Sequence, residues 1–235
     1  METGNFWKDE TKCAMFMLCE SIVWTCLFRP SGIPVPHSGT MQVPHFFFVY
    51  CTTKNILTMR KIKLYIAASI DGYIADIEGG LGWLSGYPIT PELNYGYDEF
   101  FNSVDTVILG GRTYRDILNM DLIYPYKDKI SYIITRNKTN NPKENIQFIL
   151  ENITETVSGL KKQKGKDIWL VGGGEIITIL LDNDLIDEMI ITITPIILGS
   201  GIPLFPHTAK ESTWKLHNTQ TYSNNVLQVE YHRNI

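Results

Sequence analysis

The chain has 235 residues, enough for one large domain, or a domain with an appendage, around a substantial core. Its formal net charge is -4 and charged residues make up 20%, a balance that gives no electrostatic reason to expect nucleic acid as a partner. All four cysteines, Cys13, Cys19, Cys26 and Cys51, fall before residue 52 at spacings that match no zinc signature, so they announce neither a metal site nor a redox compartment for the remainder.

Residues 1–58 are rich in Cys, Phe, Trp and Met and are broken by RPSGIPVPHSGTMQVP, whose prolines forbid a long regular element. We expect an N-terminal extension that is poorly ordered or not part of the core. CAMFMLCESIVWTCLF at 13–28 is apolar, but it carries Glu20 and is shorter than the roughly 20 residues of a spanning helix, so an amphipathic docking helix ranks ahead of a membrane anchor. The acidic start and the lack of a clear small-residue cleavage site argue against a secretory signal, and a cytoplasmic protein with no membrane partner is expected. Met59, followed by Arg60 and Lys61 just before an apolar run, reads as the start of the independent folding unit, and translation is expected to begin there.

From Met59 onward, apolar runs alternate with helical patterns. IKLYIAA at 62–68 suits a buried strand. Ser69-Ile70-Asp71-Gly72 then turns into a loop through Gly79, Gly80, Gly82 and Gly86, either an ordinary surface connection or a mobile segment beside a reaction centre. Thr90 and Pro91 read as the cap and first turn of a helix whose inner face carries Leu93, Tyr97, Phe100 and Phe101. VDTVIL at 104–109 is a strand, followed by Gly110, Gly111, Arg112, Thr113 and Tyr114 and a helical stretch to about Leu118. Backbone N–H groups, a hydroxyl and a guanidinium meet there, and the planar fork of arginine suits phosphate; a solvated arginine on a helix start is the other reading.

KISYIIT at 129–135 is the third strand, with Arg136, Asn137 and Lys138 at its end as either a second anion site or a solvated charge run. Residues 146–150 form a short strand and 154–164 a helix with a basic end. DIWLVGGGEIITILL at 167–181 carries a strand at 168–171 into Gly172, Gly173 and Gly174, after which Glu175 opens a helix to 181. The spacing of Ile176, Leu180, Leu181 and Leu185 favours helix over hairpin. Three glycines let a phosphate approach the N–H groups of a helix start. A tight link that binds nothing is the alternative, and the spacing is neither the dinucleotide fingerprint nor a P-loop. EMIITITP at 188–195 is a further strand, and 214–220 and 226–232 form a hairpin around Ser223-Asn224-Asn225. The fold class that follows is α/β, a mostly parallel central sheet flanked by helices with a C-terminal antiparallel hairpin. The glycine, arginine and threonine groups all fall at C-terminal strand ends, where such sheets bind ligands.

Five motifs in order, LYIAASIDGYIA at 64–75, VDTVILGGRTY at 104–114, YIITRN at 132–137, WLVGGGEI at 169–176 and PIILGSGIPLF at 195–205, resemble the dihydrofolate reductase-like superfamily. Within it they are most similar to the reductase domain of the bacterial bifunctional deaminase-reductase of riboflavin biosynthesis and its stand-alone relatives. The resemblance covers about 59–233 and divides the chain into an extension, 1–58, and a reductase domain, 59–235. It implies an NADPH-dependent oxidoreductase and a homodimer. Gly172, Gly173, Gly174 and Glu175 would hold the pyrophosphate region, with Gly111, Arg112 and Thr113 on the adenosine side. Thr135 and Arg136 would meet the 2′-phosphate, and Ala67 and Ala68 would lie against the nicotinamide. The implied substrate is a small pyrimidine-like or ribosylamino compound, by default 5-amino-6-(5-phosphoribosylamino)uracil, whose ribosyl group becomes ribityl. The H-x-E and P-C-x-x-C signature of a zinc deaminase does not occur, and no metal site is expected. Folate-reducing members carry an acidic residue in the first helix after an aromatic-proline turn, and GWLSGYPITPELNYGYDEFF at 82–101 has no clean equivalent. Asp98 on that helix and Asp71 of the SxDG motif are the two catalytic candidates, against a solvent-facing role for the first and a loop-shaping role for the second. Dihydrofolate reduction and a nucleotide-binding protein without catalysis are the rival readings.

Overall fold

The computed structural model describes residues 59–120, 123–137, 144–206 and 210–234; the N-terminal extension, with its apolar stretch at 13–28, lies outside them. The apolar runs become strands β1 (Ile62–Ser69), β2 (Tyr73–Ala75), β3 (Val104–Gly110), β4 (Ile130–Ile134), β5 (Ile146–Ile149), β6 (Asp167–Gly172), β7 (Glu188–Thr194), β8 (Ile202–Pro203), β9 (Trp214–Thr221) and β10 (Leu227–Arg233). Between them lie helices α1 (Tyr97–Ser103), α2 (Gly111–Asn119), α3 (Ile153–Lys161) and α4 (Gly174–Asp182), with a short 3-10 helix at Gly82–Gly86. Among the described residues no helix is long and apolar enough to cross a membrane.

Eight strands form one sheet in the order β5-β4-β3-β6-β1-β7-β10-β9. The first six are parallel, β10 runs antiparallel to β7, and β9 antiparallel to β10. β1 is central because nearly every residue in it is apolar: such a strand must be covered on both faces and paired on both edges. Its even positions Ile62, Leu64 and Ala68 pack with Ile168, Leu170, Val157, Leu160, Ile177 and Leu180, so α3 and α4 cover that face. Tyr65, on the opposite face, stacks on Phe100 and meets Trp169 edge-on, and packs against a second cluster that includes Tyr114 and Ile133.

At the N-terminal ends of the strands the core is closed by ion pairs. Lys161 Nζ lies 2.7 Å from Asp187 Oδ2, which also accepts the Ile62 N–H at 2.7 Å. Lys63 bridges Asp167 at 3.0 Å and Glu188 at 3.1 Å, and Lys61 reaches Glu188 at 2.5 Å. These contacts join β1, β6 and β7 at the edge away from the glycine-rich strand ends.

Two differences from the sequence expectations concern the segment between β1 and β3. The helix expected from Pro91 begins only at Tyr97, because Tyr95 takes a φ of +53° and Gly96 one of +76°, both incompatible with a continuous helix. Thr90 instead accepts the Leu93 N–H through its hydroxyl at 3.1 Å and makes a turn. The pairing of β2 with β8, two strands too short to leave a periodic trace, was also not expected.

Candidate active site

The site is built at the C-terminal ends of β1, β3, β4 and β6. At the end of β6, Gly172 has a φ of +146° and Gly173 one of +105°, conformations that side chains rarely adopt. A Cβ added to Gly173 would stand 3.5 Å from Gly110 Cα and 3.7 Å from Thr113 Oγ1, filling the gap between the ends of β6 and β3. At Gly111 an added Cβ would meet Thr135 Oγ1 at 2.7 Å, so the ends of β3 and β4 touch backbone to side chain. Gly174 is closed in by Pro206 in the same way.

Two helices start in this gap. α2 begins after Gly110 and α4 after Gly173, and neither first turn is capped by a side chain. Their leading N–H groups are therefore open to an anion and carry the positive end of the helix dipole. Arg112, in the first turn of α2, donates from Nη2 to the Glu78 carbonyl at 2.6 Å, which fastens the 76–80 turn to α2. Asp76 shapes that turn by accepting the N–H groups of Glu78 at 2.9 Å and Gly80 at 2.7 Å.

A cleft of about 1240 Å³ runs along this edge. Ala67, Gly111, Arg112, Thr113, Thr135, Arg136, Gly172, Gly173, Gly174 and Glu175 all line it. Ala68 does not: it is 2% exposed and its side chain belongs to the core under α3 and α4, since alternation along β1 turns it away from Ala67. Neither carboxylate candidate lines the cleft. Asp71 accepts the Ser69 hydroxyl at 2.6 Å and the N–H groups of Leu198 at 3.1 Å and Gly199 at 2.7 Å, pinning the loop before β8 to the loop after β1. The Ser69 hydrogen bond, with those backbone bonds, holds its carboxyl below the usual range, so it is an anion shaping a loop. Asp98 accepts from Asn94 Nδ2 at 2.8 Å on the exposed side of α1.

Sequence reasoning missed the aromatic wall of the cleft, formed by Tyr65, Tyr97, Tyr126 and Trp169 with Leu81, Leu84, Ile89 and Ile123 beside it. Trp169 is its centre, in edge contact with Tyr65 at 6.2 Å, Tyr97 at 5.9 Å and Tyr126 at 5.3 Å. Tyr65 shares the parity of Ala67 on β1, and that alternation was the available signal. Burial pushes the Tyr65 and Tyr126 phenols well above their ordinary value, and burial with the nearby Asp98 charge raises Tyr97. These hydroxyls stay protonated and can only be neutral donors or acceptors; that of Tyr65 donates to the Tyr95 carbonyl at 2.9 Å.

With this geometry in view, residues 60–228 match the RibD C-terminal domain family. The chain belongs to that family. The uncharacterized protein YwjB of Bacillus subtilis is 40% identical over 174 residues, 74% of this chain and 98% of its own. YyaP of the same organism, also uncharacterized, is 33% identical over 192 residues, 77% of this chain and 98% of its own. A Shewanella sp. PV-4 structure named for riboflavin biosynthesis superposes with a TM-score of 0.67 at 30% identity, covering 74% of this chain and 99% of that one. Dihydrofolate reductase from Enterococcus faecalis, complexed with NADP(H), superposes with a TM-score of 0.55 at 18% identity over 74% of this chain and 97% of that one, a likeness of fold alone. The RibD C-terminal domain here therefore has the dihydrofolate reductase-like fold expected from the five motifs.

Proposed function

We propose that the chain is an NADPH-dependent reductase that delivers hydride to a small pyrimidine-like or ribosylamino substrate, with 5-amino-6-(5-phosphoribosylamino)uracil as the reference compound. The observation that carries this reading is the meeting of two uncapped helix starts, Arg112, Thr113, Thr135 and Arg136 in one cleft with a wall of aromatic rings. Bare backbone at Gly172 and Gly173, both at positive φ on the wall of the cleft, supports a pyrophosphate lying close against the N–H groups there.

In this reading Gly172, Gly173, Gly174 and Glu175 hold the pyrophosphate, Gly111, Arg112 and Thr113 lie on the adenosine side, Thr135 and Arg136 meet the 2′-phosphate, and Ala67 offers a flat surface to the nicotinamide. When bound, NADPH supplies the hydride, while the protein supplies orientation and electrostatics. Tyr65, Tyr97, Tyr126 and Trp169 form an apolar wall that excludes water from a flat ring, and the protonated Tyr97 and Tyr126 phenols offer hydrogen bonds to its carbonyl groups. A homodimer belongs to the same reading, and sedimentation of the purified chain checks it.

The test is NADPH oxidation, followed by nicotinamide absorbance, with the ribosylaminouracil and with dihydrofolate in parallel. Turnover of the first supports the proposal. Turnover of dihydrofolate alone would replace the substrate, and NADPH binding without oxidation of either would leave a nucleotide-binding protein.

A further inference from the structure

A second candidate site lies on the C-terminal hairpin. β9 and β10 pair regularly from Leu227 opposite Thr221 to Glu230 opposite Asn218; the register then shifts, so that Tyr231 faces Leu216 and His232 faces Lys215. The residue skipped is His217. A bulge of this kind redirects the extra side chain. Here it brings His217 onto the face that carries His232, and the two imidazoles stack with centroids 4.0 Å apart and planes 14° apart. On the same face His232 Nε2 lies 2.7 Å from Glu230 Oε1 and 3.8 Å from Glu188 Oε1. His217, Glu230 and His232 each present a donor atom within 4.8 Å of the other two.

We propose that His217, Glu230 and His232 bind a divalent transition-metal ion of the zinc class. Two imidazoles and one carboxylate are donors that such borderline ions prefer, with water completing the shell. Bonds of about 2.0–2.2 Å put neighbouring donors of a tetrahedral shell roughly 3.3 Å apart. The pair at His232 and Glu230 opens slightly to reach that spacing, and His217, which is exposed, closes the site by rotating its ring out of the stack. Glu188 is already held by Lys61 and Lys63, so it stays behind His232 as a neutralised neighbour and leaves Glu230 as the anionic ligand. None of the three ligands lines the cofactor cleft, and the site depends on no step of the proposed reduction. Its effect is structural: the bulge interrupts the β9–β10 ladder, and the ion ties the strands together at that interruption.

The experiment uses the full chain and compares variants, because any metal taken up by thiolate sulfur of Cys13, Cys19, Cys26 or Cys51 is common to all of them. Zinc(II) is titrated into chelator-treated wild type, His217→Ala and Glu230→Gln, with cobalt(II) as the spectroscopic probe. Expected are one equivalent fewer in His217→Ala, affinity at least tenfold weaker in Glu230→Gln, and loss from both of a visible cobalt band that lacks sulfur charge transfer. A zinc-dependent rise in Tm should vanish with them, while melting in chelator matches wild type and shows the variant folded. Equal stoichiometry and equal thermal shift in wild type and His217→Ala would overturn the proposal and leave an imidazole–carboxylate hydrogen bond with a ring stack.

Discussion

A methyl group placed on Gly173 must hold a φ of +105° and occupy the space beside Gly110 and Thr113. Gly173→Ala is therefore expected to cost about 1–3 kcal/mol of stability, read by urea unfolding, and to abolish NADPH binding, read by fluorescence titration. Arg136 addresses a different part of the cofactor. If it meets the 2′-phosphate, Arg136→Ala loses a charge-assisted hydrogen bond, and NADPH affinity falls roughly tenfold while NADH affinity is unchanged. An equal loss for both nucleotides would remove Arg136 from that role. Asp71 makes a prediction with a sign. Its carboxyl sits below the ordinary value of 3.8, so the loop it pins gains stability above that pH and loses it as the pH falls through the lowered value. Acid unfolding of Asp71→Asn should accordingly be less steep than that of wild type.

The elements were legible wherever one signal dominated. β1, β3, β6 and β7 are apolar runs long enough to declare themselves, and the stack of Ile176 and Leu180 identified α4 despite its β-branched content. The stretch before α1 was not legible, because its shape is set at long range. Tyr95, at positive φ, is gripped through its carbonyl by Tyr65 at 2.9 Å and Gln228 Nε2 at 2.9 Å, and through its hydroxyl by Asn224 Nδ2 at 2.6 Å. No local pattern announces partners 30, 129 and 133 residues away. The same reason hid the aromatic wall, since Trp169 and Tyr97 meet only after β6 slots in beside β1. The glycines, Arg112, Thr113, Thr135 and Arg136 that line the cleft were legible because glycine, arginine and threonine at strand ends are chemical signals that need no tertiary context. Gln228→Ala should release Tyr95 and cost about 1–3 kcal/mol, with a rise in KM from displacement of Tyr97 at the cleft.

For the molecule as a whole, the ion pairs at the strand starts set the pH range of the fold. Burial alone would raise Glu188, but the Lys61 hydrogen bond and the Lys63 charge hold it below the ordinary 4.5; its contribution is present above that value and lost as the pH falls through the lowered one. Burial alone would lower Lys63, but Asp167 and Glu188 raise it above the ordinary 10.5, so its contribution is complete below that value and lost as the pH climbs past the raised one. Thermal melts should therefore be flat across the interval between and fall at both ends. Lys161→Met strands Asp187 at this edge and should cost about 3 kcal/mol by chemical unfolding. The central position of β1 also bears on time. The strand is made early, yet its neighbours β6 and β7 begin only at Asp167 and Glu188, so on the ribosome it waits with both hydrogen-bonding edges bare until most of the chain has been synthesised. A pause in translation before Asp167 would leave IKLYIAAS open to a second nascent copy, and the order of synthesis thus makes this strand the point at which the fold is most easily lost to aggregation.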